Sequence, residues 1–186
     1  MRKVLRNAVL AAVGIAATGA AVPRDFVDQS YYDDDRYVVL VRHAEKEDGD
    51  DPDLTSQGRA RAETLAHVLG EWPVEAIFVT QFLRTQATAV PLAERFGLEA
   101  EIVDAGDVAG TAERLKMEGH EAAVVVGHSN STPDMARALG VQTVPEIPEY
   151  QYDDLFVVRL TSDGEAHLLH MKYGAPTPEA DQNERD

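Results

Sequence analysis

The 186-residue chain contains no cysteine, which excludes disulfides, thiolate metal sites and a cysteine nucleophile together. Its stability must come from a packed core, and any nucleophile from another side chain. Positive charge is scarce: 17 Lys and Arg stand against 33 Asp and Glu, a formal net charge of −16. So anionic a chain repels a phosphate backbone, and nucleic acid is not expected as a partner. Long apolar runs are lacking too. The apolar stretch Ala8 to Ala17 is shorter than the ~20 residues that span a bilayer. The acidic segment Glu45 to Asp53 lacks the alternating Asp spacing and closing Glu of a calcium hand, so it reads as a solvated loop.

What is present begins with a leader. Arg2, Lys3 and Arg6 precede the apolar stretch and Thr18-Gly19-Ala20-Ala21 comes after it, the layout of a secretory signal peptide over residues 1–21, cleaved near Ala20 or Ala21. The alternative is an uncleaved membrane anchor; a lipoprotein is excluded because no cysteine comes after the apolar run. The expected location is periplasmic or secreted, with no stable membrane span after cleavage. Residues 22–36 carry Asp25, Asp28, Asp33, Asp34 and Asp35 without a period and read as an acidic lead-in. Residues 37–173 form the expected functional domain, and the Pro-, Asp- and Glu-rich residues 174–186 a flexible tail. Nothing in the sequence specifies an oligomeric state.

Within the domain, hydrophobic periodicity predicts strands at Tyr37–Val41, Ala76–Val79, Ala100–Val103 and Glu121–Val126, alternating with helices. The first helix, Gly58–Leu69, takes Thr55 or Ser56 as N-cap, with Arg59 and Arg61 on a helix face. The second, Leu83–Phe96, is closed by Gly97 and carries Pro91, which should start a new turn or kink it. The third, Ala109–Met117, stops at Gly119. The fourth takes Ser131 or Thr132 as N-cap, with Pro133 at the first helical position and Gly140 past its end. Leu155–Leu160 and Ala166–Met171, joined by Ser162-Asp163-Gly164, form a hairpin. The expected fold is α/β: a three-layer α/β/α sandwich with a mainly parallel sheet and a C-terminal antiparallel hairpin at or near its edge.

Two strands end in chemistry. Val38-Val39-Leu40-Val41 runs into Arg42-His43-Ala44-Glu45, Val124-Val125-Val126-Gly127 runs into His128-Ser129-Asn130, and Arg84 stands shortly after a third strand. Ligands of open α/β sheets gather outside the carboxyl ends of strands. Guanidinium groups suit phosphate oxygens, and a neutral imidazole is a competent nucleophile. The set therefore points to a phosphate-handling site. For any one histidine alone, a structural role at a strand end would be the ordinary reading.

Four landmarks in order, Leu40-Val41-Arg42-His43-Ala44-Glu45, Leu54-Thr55-Ser56-Gln57-Gly58, Thr80-Gln81-Phe82-Leu83-Arg84-Thr85-Gln86-Ala87-Thr88-Ala89 and Val126-Gly127-His128-Ser129-Asn130, resemble those of the histidine phosphatase superfamily, whose fold is phosphoglycerate mutase-like. The resemblance implies that His43 attacks phosphorus and becomes a phosphohistidine, which water hydrolyses. Arg42, Arg84 and His128 would bind the phosphoryl group, and no metal or cofactor is needed. Asn130 and Ser129 would either donate to a phosphate oxygen or cap the next helix. A backbone carbonyl bonded to the other ring nitrogen would fix the tautomer of His43.

Many relatives supply the proton for the leaving group from a glutamate in an insertion between the second arginine and the second histidine. This chain is short there, and Glu94, Glu99, Glu101 and Asp104 match no motif. Glu45 ranks first as general acid, with Asp134 next. The expected activity is a metal-independent phosphatase acting on small phosphorylated substrates, sugar or glycolipid phosphates among them. The alternatives are a phosphohistidine-type phosphatase, a non-catalytic phosphate- or phosphosugar-binding domain, or an envelope interaction protein using the lead-in.

Overall fold

The computed structural model describes residues 35–177. The leader, nearly all of the acidic lead-in and the end of the tail lie outside the described residues. Ten elements occur in order: β1 (Arg36–Arg42), α1 (Ser56–Val68), β2 (Val74–Thr80), α2 (Leu83–Phe96), β3 (Ala100–Val103), α3 (Val108–Glu118), β4 (Ala122–Gly127), α4 (Ser131–Leu139), β5 (Asp154–Leu160) and β6 (Ala166–Lys172). The six strands make one sheet in the order β3-β2-β4-β1-β5-β6. β1, β2, β3 and β4 pair in parallel, whereas β5 runs antiparallel to β1, and β6 antiparallel to β5. The hairpin is therefore at the edge, with β6 outermost.

Strand periodicity divides the core into two layers. Val38 and Leu40 of β1 join Phe78, Val125 and Phe156 in packing against Leu115 of α3 and Met135 and Leu139 of α4. Val39 and Val41 point the other way, with Ile77, Val79 and Val126, onto Leu65 and Leu69 at α1 and Leu92 of α2. Val39 and Val41 are wholly buried, and burial of each such side chain stabilises by roughly 1.5–3 kcal/mol. A strand apolar on both faces is what a three-layer sandwich requires.

One local expectation is corrected. α4 begins a residue earlier than its hydroxyl pattern suggests: Asn130 is its N-cap, without a side-chain cap bond. The Ser131 hydroxyl instead accepts from His128 N at 3.0 Å, so the serine braces the turn that carries the histidine. Pro133 consequently stands third in the helix. α2 runs as one element from Leu83 to Phe96 through Pro91 and closes on Gly97, as expected.

The topology makes a crevice. From β1 the chain crosses to β2 and β3 by α1 and α2 on one face; from β4 it crosses to β5 by α4 on the other. The loops leaving the adjacent strands β1 and β4 thus diverge, which is the switch point at which open α/β sheets bind ligands.

Candidate active site

Register brings the two histidines together. β1 and β4 pair in parallel as Val41↔Val126 and Arg42↔Gly127, so His43 and His128 emerge side by side. His43 N donates to Gly127 O at 2.9 Å, and the two imidazole centroids are 5.4 Å apart. β2 lies on the far side of β4, with Val79 opposite Val126. Its last residue, Thr80, consequently reaches His128 Nε2 at 3.1 Å.

His43 is 3% exposed, and its Nδ1 lies 2.8 Å from Ala44 O. A carbonyl only accepts, so Nδ1 carries the hydrogen and Nε2 keeps its lone pair. The anticipated tautomer lock is in place, supplied by the next residue. Burial first, then the charges of Arg42, His128 and Arg84, push the His43 pKa down to about 3 against the opposing Ala44 bond. Burial, with Arg84 and Arg42 after it, brings His128 to about 4. Both rings are neutral near pH 7.

Arg42 is 3% exposed. Its Nη1 donates to Pro148 O at 3.1 Å, to Gln151 O at 3.0 Å and to Glu149 O. Its Nη2 meets Glu149 Oε2 at 3.1 Å, and the guanidinium carbon lies 4.1 Å from the Tyr152 ring centroid. Arg84, in the first turn of α2, lies 4.4 Å from the Phe82 ring centroid. Its Nη2 is 3.5 Å from His128 Nδ1, and its Nη1 is 3.6 Å from Asp51 Oδ1. Stacking on aromatic faces holds both planar cations. The Nε atoms of Arg42 and Arg84 are buried without a hydrogen-bond partner. Buried N–H groups are rarely left so.

The structure removes Glu45 from this cluster's free groups. Arg61 Nε donates to both of its carboxylate oxygens at 3.0 Å, Arg61 Nη2 to Oε1 at 2.7 Å, and Gln57 Nε2 to Oε1 at 3.0 Å. Arg61, expected on a helix face, is buried, and it also donates to Tyr173 O and Ala175 O. With both carboxylate oxygens turned to Arg61 and Gln57, Glu45 is poorly placed as the first-ranked acid. Asp134 is exposed and pairs with Arg137 at 2.9 Å. Asn130, also exposed, stands at the α4 cap beside His128.

The acidic loop is exposed over residues 47–51, as a solvated loop should be, and is tied down at a few points. Lys46 bridges Leu54, Asp53 accepts from Arg59 at 2.9 Å, and Asp51 accepts from Leu83 N at 3.0 Å. Asp51 thereby caps α2 next to Arg84. The residues that sequence reasoning missed are Asp51, Thr80, Phe82, Glu149 and Tyr152. The last two come from the connection between α4 and β5, which an antiparallel β5 delivers to the rim where β1 ends.

Residues 38–106 match the model of the histidine phosphatase superfamily, branch 1. No curated protein sequence matches the chain. Among solved structures, the protein histidine phosphatase SixA complexed with tungstate is similar at a TM-score of 0.61 and 22% identity, over 73% of this chain and 96% of that one. A mycobacterial glucosyl-3-phosphoglycerate phosphatase is similar at 0.59 and 18%, over 75% and 100%. A putative alpha-ribazole-5'-P phosphatase from Escherichia coli is similar at 0.60 and 16%, over 77% and 99%. These likenesses establish the shared fold. The matched stretch, residues 38–106, includes Arg42, His43 and Arg84, the first landmarks of the resemblance drawn from the sequence.

Proposed function

We propose that the protein is an exported, metal-independent phosphatase that hydrolyses small phosphomonoesters, sugar and glycolipid phosphates among them, through a phosphohistidine on His43. The observation that carries this reading is the pairing of a His43 Nε2 lone pair, fixed by the Ala44 carbonyl, with two arginines whose Nε groups are buried and unpartnered. The phosphoryl group in flight carries negative charge on its equatorial oxygens, and fixed cationic donors stabilise it without a metal ion. Arg42 and Arg84 supply those donors. His128, whose Nε2 is 3.1 Å from Thr80 Oγ1, stands beside the nucleophile as a second neutral imidazole. Support for export comes from the leader over residues 1–21; among the described residues no helix is long and apolar enough to cross a membrane.

The test is hydrolysis of p-nitrophenyl phosphate by the mature protein in chelator, beside His43→Ala, with acid quenching avoided so that an acid-labile phosphoenzyme survives. Chelator-resistant turnover and a phosphoenzyme, both lost in His43→Ala, are expected. Turnover that survives in His43→Ala, or that requires added metal, overturns the reading. Export is checked by cell fractionation, with a cytoplasmic protein that retains residues 1–21 as the contrary result.

A further inference from the structure

Resting on that reading, we infer that Glu149 is the proton donor to the leaving group, taking the place of the glutamate that many relatives carry in an insertion. Several observations lead there. Glu149 stands on the connection before β5, and its backbone is held because Arg42 Nη1 donates to the carbonyls of Pro148, Glu149 and Gln151. The main chain is thus pinned to a phosphate-binding arginine. The side chain is 84% exposed and lies at the mouth of the site, touching Arg42 Nη2 at 3.1 Å and accepting from Ser129 Oγ at 2.6 Å. Its charge is felt at both Arg42 and His128. A carboxyl group so placed can meet an alcohol oxygen leaving the phosphorus.

Its rivals are engaged elsewhere. Glu45 is bound by Arg61, Asp134 by Arg137, and Asp51 is used as the cap of α2 through Leu83 N. Glu149 is held by one arm of Arg42 and one hydroxyl, and the first of these contacts is the one a phosphate would take. A phosphate that takes this contact frees the Glu149 carboxyl from the arginine and leaves it at the rim where the leaving group departs.

The step balances. The His43 Nε2 lone pair forms the N–P bond as the P–O bond to the alcohol breaks; the electron pair of that bond goes to the leaving oxygen, which takes the Glu149 proton. The products are the alcohol, phosphohistidine and a Glu149 carboxylate. In the second step that carboxylate takes a proton from the water that attacks phosphorus, the N–P bond breaks, and phosphate and neutral His43 are released.

The experiment compares Glu149→Gln with the wild-type enzyme on two substrates, p-nitrophenyl phosphate, whose leaving group needs no proton, and a simple alkyl phosphate, whose leaving group does. Glu149→Gln should lose ~100-fold or more in kcat/KM on the alkyl ester, as removal of a general acid does, and less than about threefold on the activated ester, which departs without that help. Equal losses on both substrates would make Glu149 a positioning residue for Arg42 and overturn the assignment, as would no loss on either. So would a wild-type enzyme active only on the activated ester. Wild-type failure on both esters, by contrast, would sink the phosphatase reading itself, and Glu149's role with it. Asp51→Asn serves as the control: a selective alkyl-ester loss there, rather than in Glu149→Gln, would move the donor to the other rim of the site.

Discussion

Replacing Glu45 with alanine separates a structural anchor from a catalytic acid. Arg61 is 2% exposed and Glu45 12%, and three contacts of 2.7–3.0 Å join them. Burial, the largest single influence, opposes the Arg61 charge, but the Glu45 hydrogen bonds together with the fields of Glu45, Tyr173 and Asp153 outweigh it and raise its pKa above the ordinary value. Glu45→Ala leaves a buried guanidinium with only the Tyr173 and Ala175 carbonyls from its present set. Removing one partner of a buried pair costs about 3–5 kcal/mol, and the two surviving carbonyl bonds place the expected loss near the lower end. For a domain of this size that corresponds to a fall of roughly 6–12 °C in Tm. Thermal unfolding monitored by circular dichroism measures it, with turnover of an alkyl phosphate assayed well below the mutant's Tm. Folded Glu45→Ala should retain more than ~1% of wild-type kcat, because the loss of a general acid begins at about 100-fold. An unchanged Tm combined with a larger kinetic loss would return Glu45 to the chemistry and refute the argument.

At Gly58 an added Cβ would lie 2.1 Å from Glu45 O, so Gly58→Ala should destabilise the protein in urea despite the ~1 kcal/mol that helix propensity alone would gain; a neutral or stabilising result contradicts the tight seating of α1. With His43 held at about 3 and His128 at about 4, NMR should find neither ring titrating between pH 8 and 5.5, and a histidine titration near 6.5 assigned to either would be contrary. Between the depressed folded pKa of His43 and the ordinary ~6.5, the unfolded chain binds more protons than the folded one. Relative to His43→Gln, therefore, the wild type should be at full stability above about pH 6.5 and lose it as pH falls toward 3; no such differential loss would refute the burial argument.

The centre of the parallel half of the sheet is legible in the sequence because β1 and β4 carry unbroken apolar runs, buried on both faces, that stop at a polar residue or a glycine. Arg42-His43 after β1 and His128 after β4 can be read as partners for that reason: two parallel strands bury the same stripe and present the residues beyond it at one rim. The burial of Arg61 is harder to read, because Ser56-Gln57-Gly58-Arg59-Ala60-Arg61 has no large apolar residue to mark a face. Its signal is positional, since Arg61, Ala62, Leu65 and Ala66 share the buried stripe of α1. A charge on that stripe demands a buried counter-charge, but periodicity alone does not say which loop supplies it.

Glu149 and Tyr152 are hidden in the sequence for a topological reason. The segment before β5 carries no motif, and its importance depends on β5 running antiparallel beside β1, with Leu155 opposite Val41. In a parallel neighbour the residues preceding the strand would lie at the opposite end of the sheet. Reversal brings Glu149 and Tyr152 to the carboxyl end of β1, where Arg42 binds three carbonyls of the segment and lies over the Tyr152 ring. A short chain without an insertion between its second arginine and second histidine can therefore still present a carboxylate to the reacting group, from the one connection that the antiparallel strand delivers to that rim. The same fact ties acid to phosphate site mechanically: whatever displaces Arg42 displaces the segment that carries Glu149. Arg42→Ala should consequently depress turnover of both the alkyl and the activated ester, and of the alkyl ester further, because the donor is displaced together with the phosphate ligand; an equal loss on both would show that the segment holds its place without the arginine.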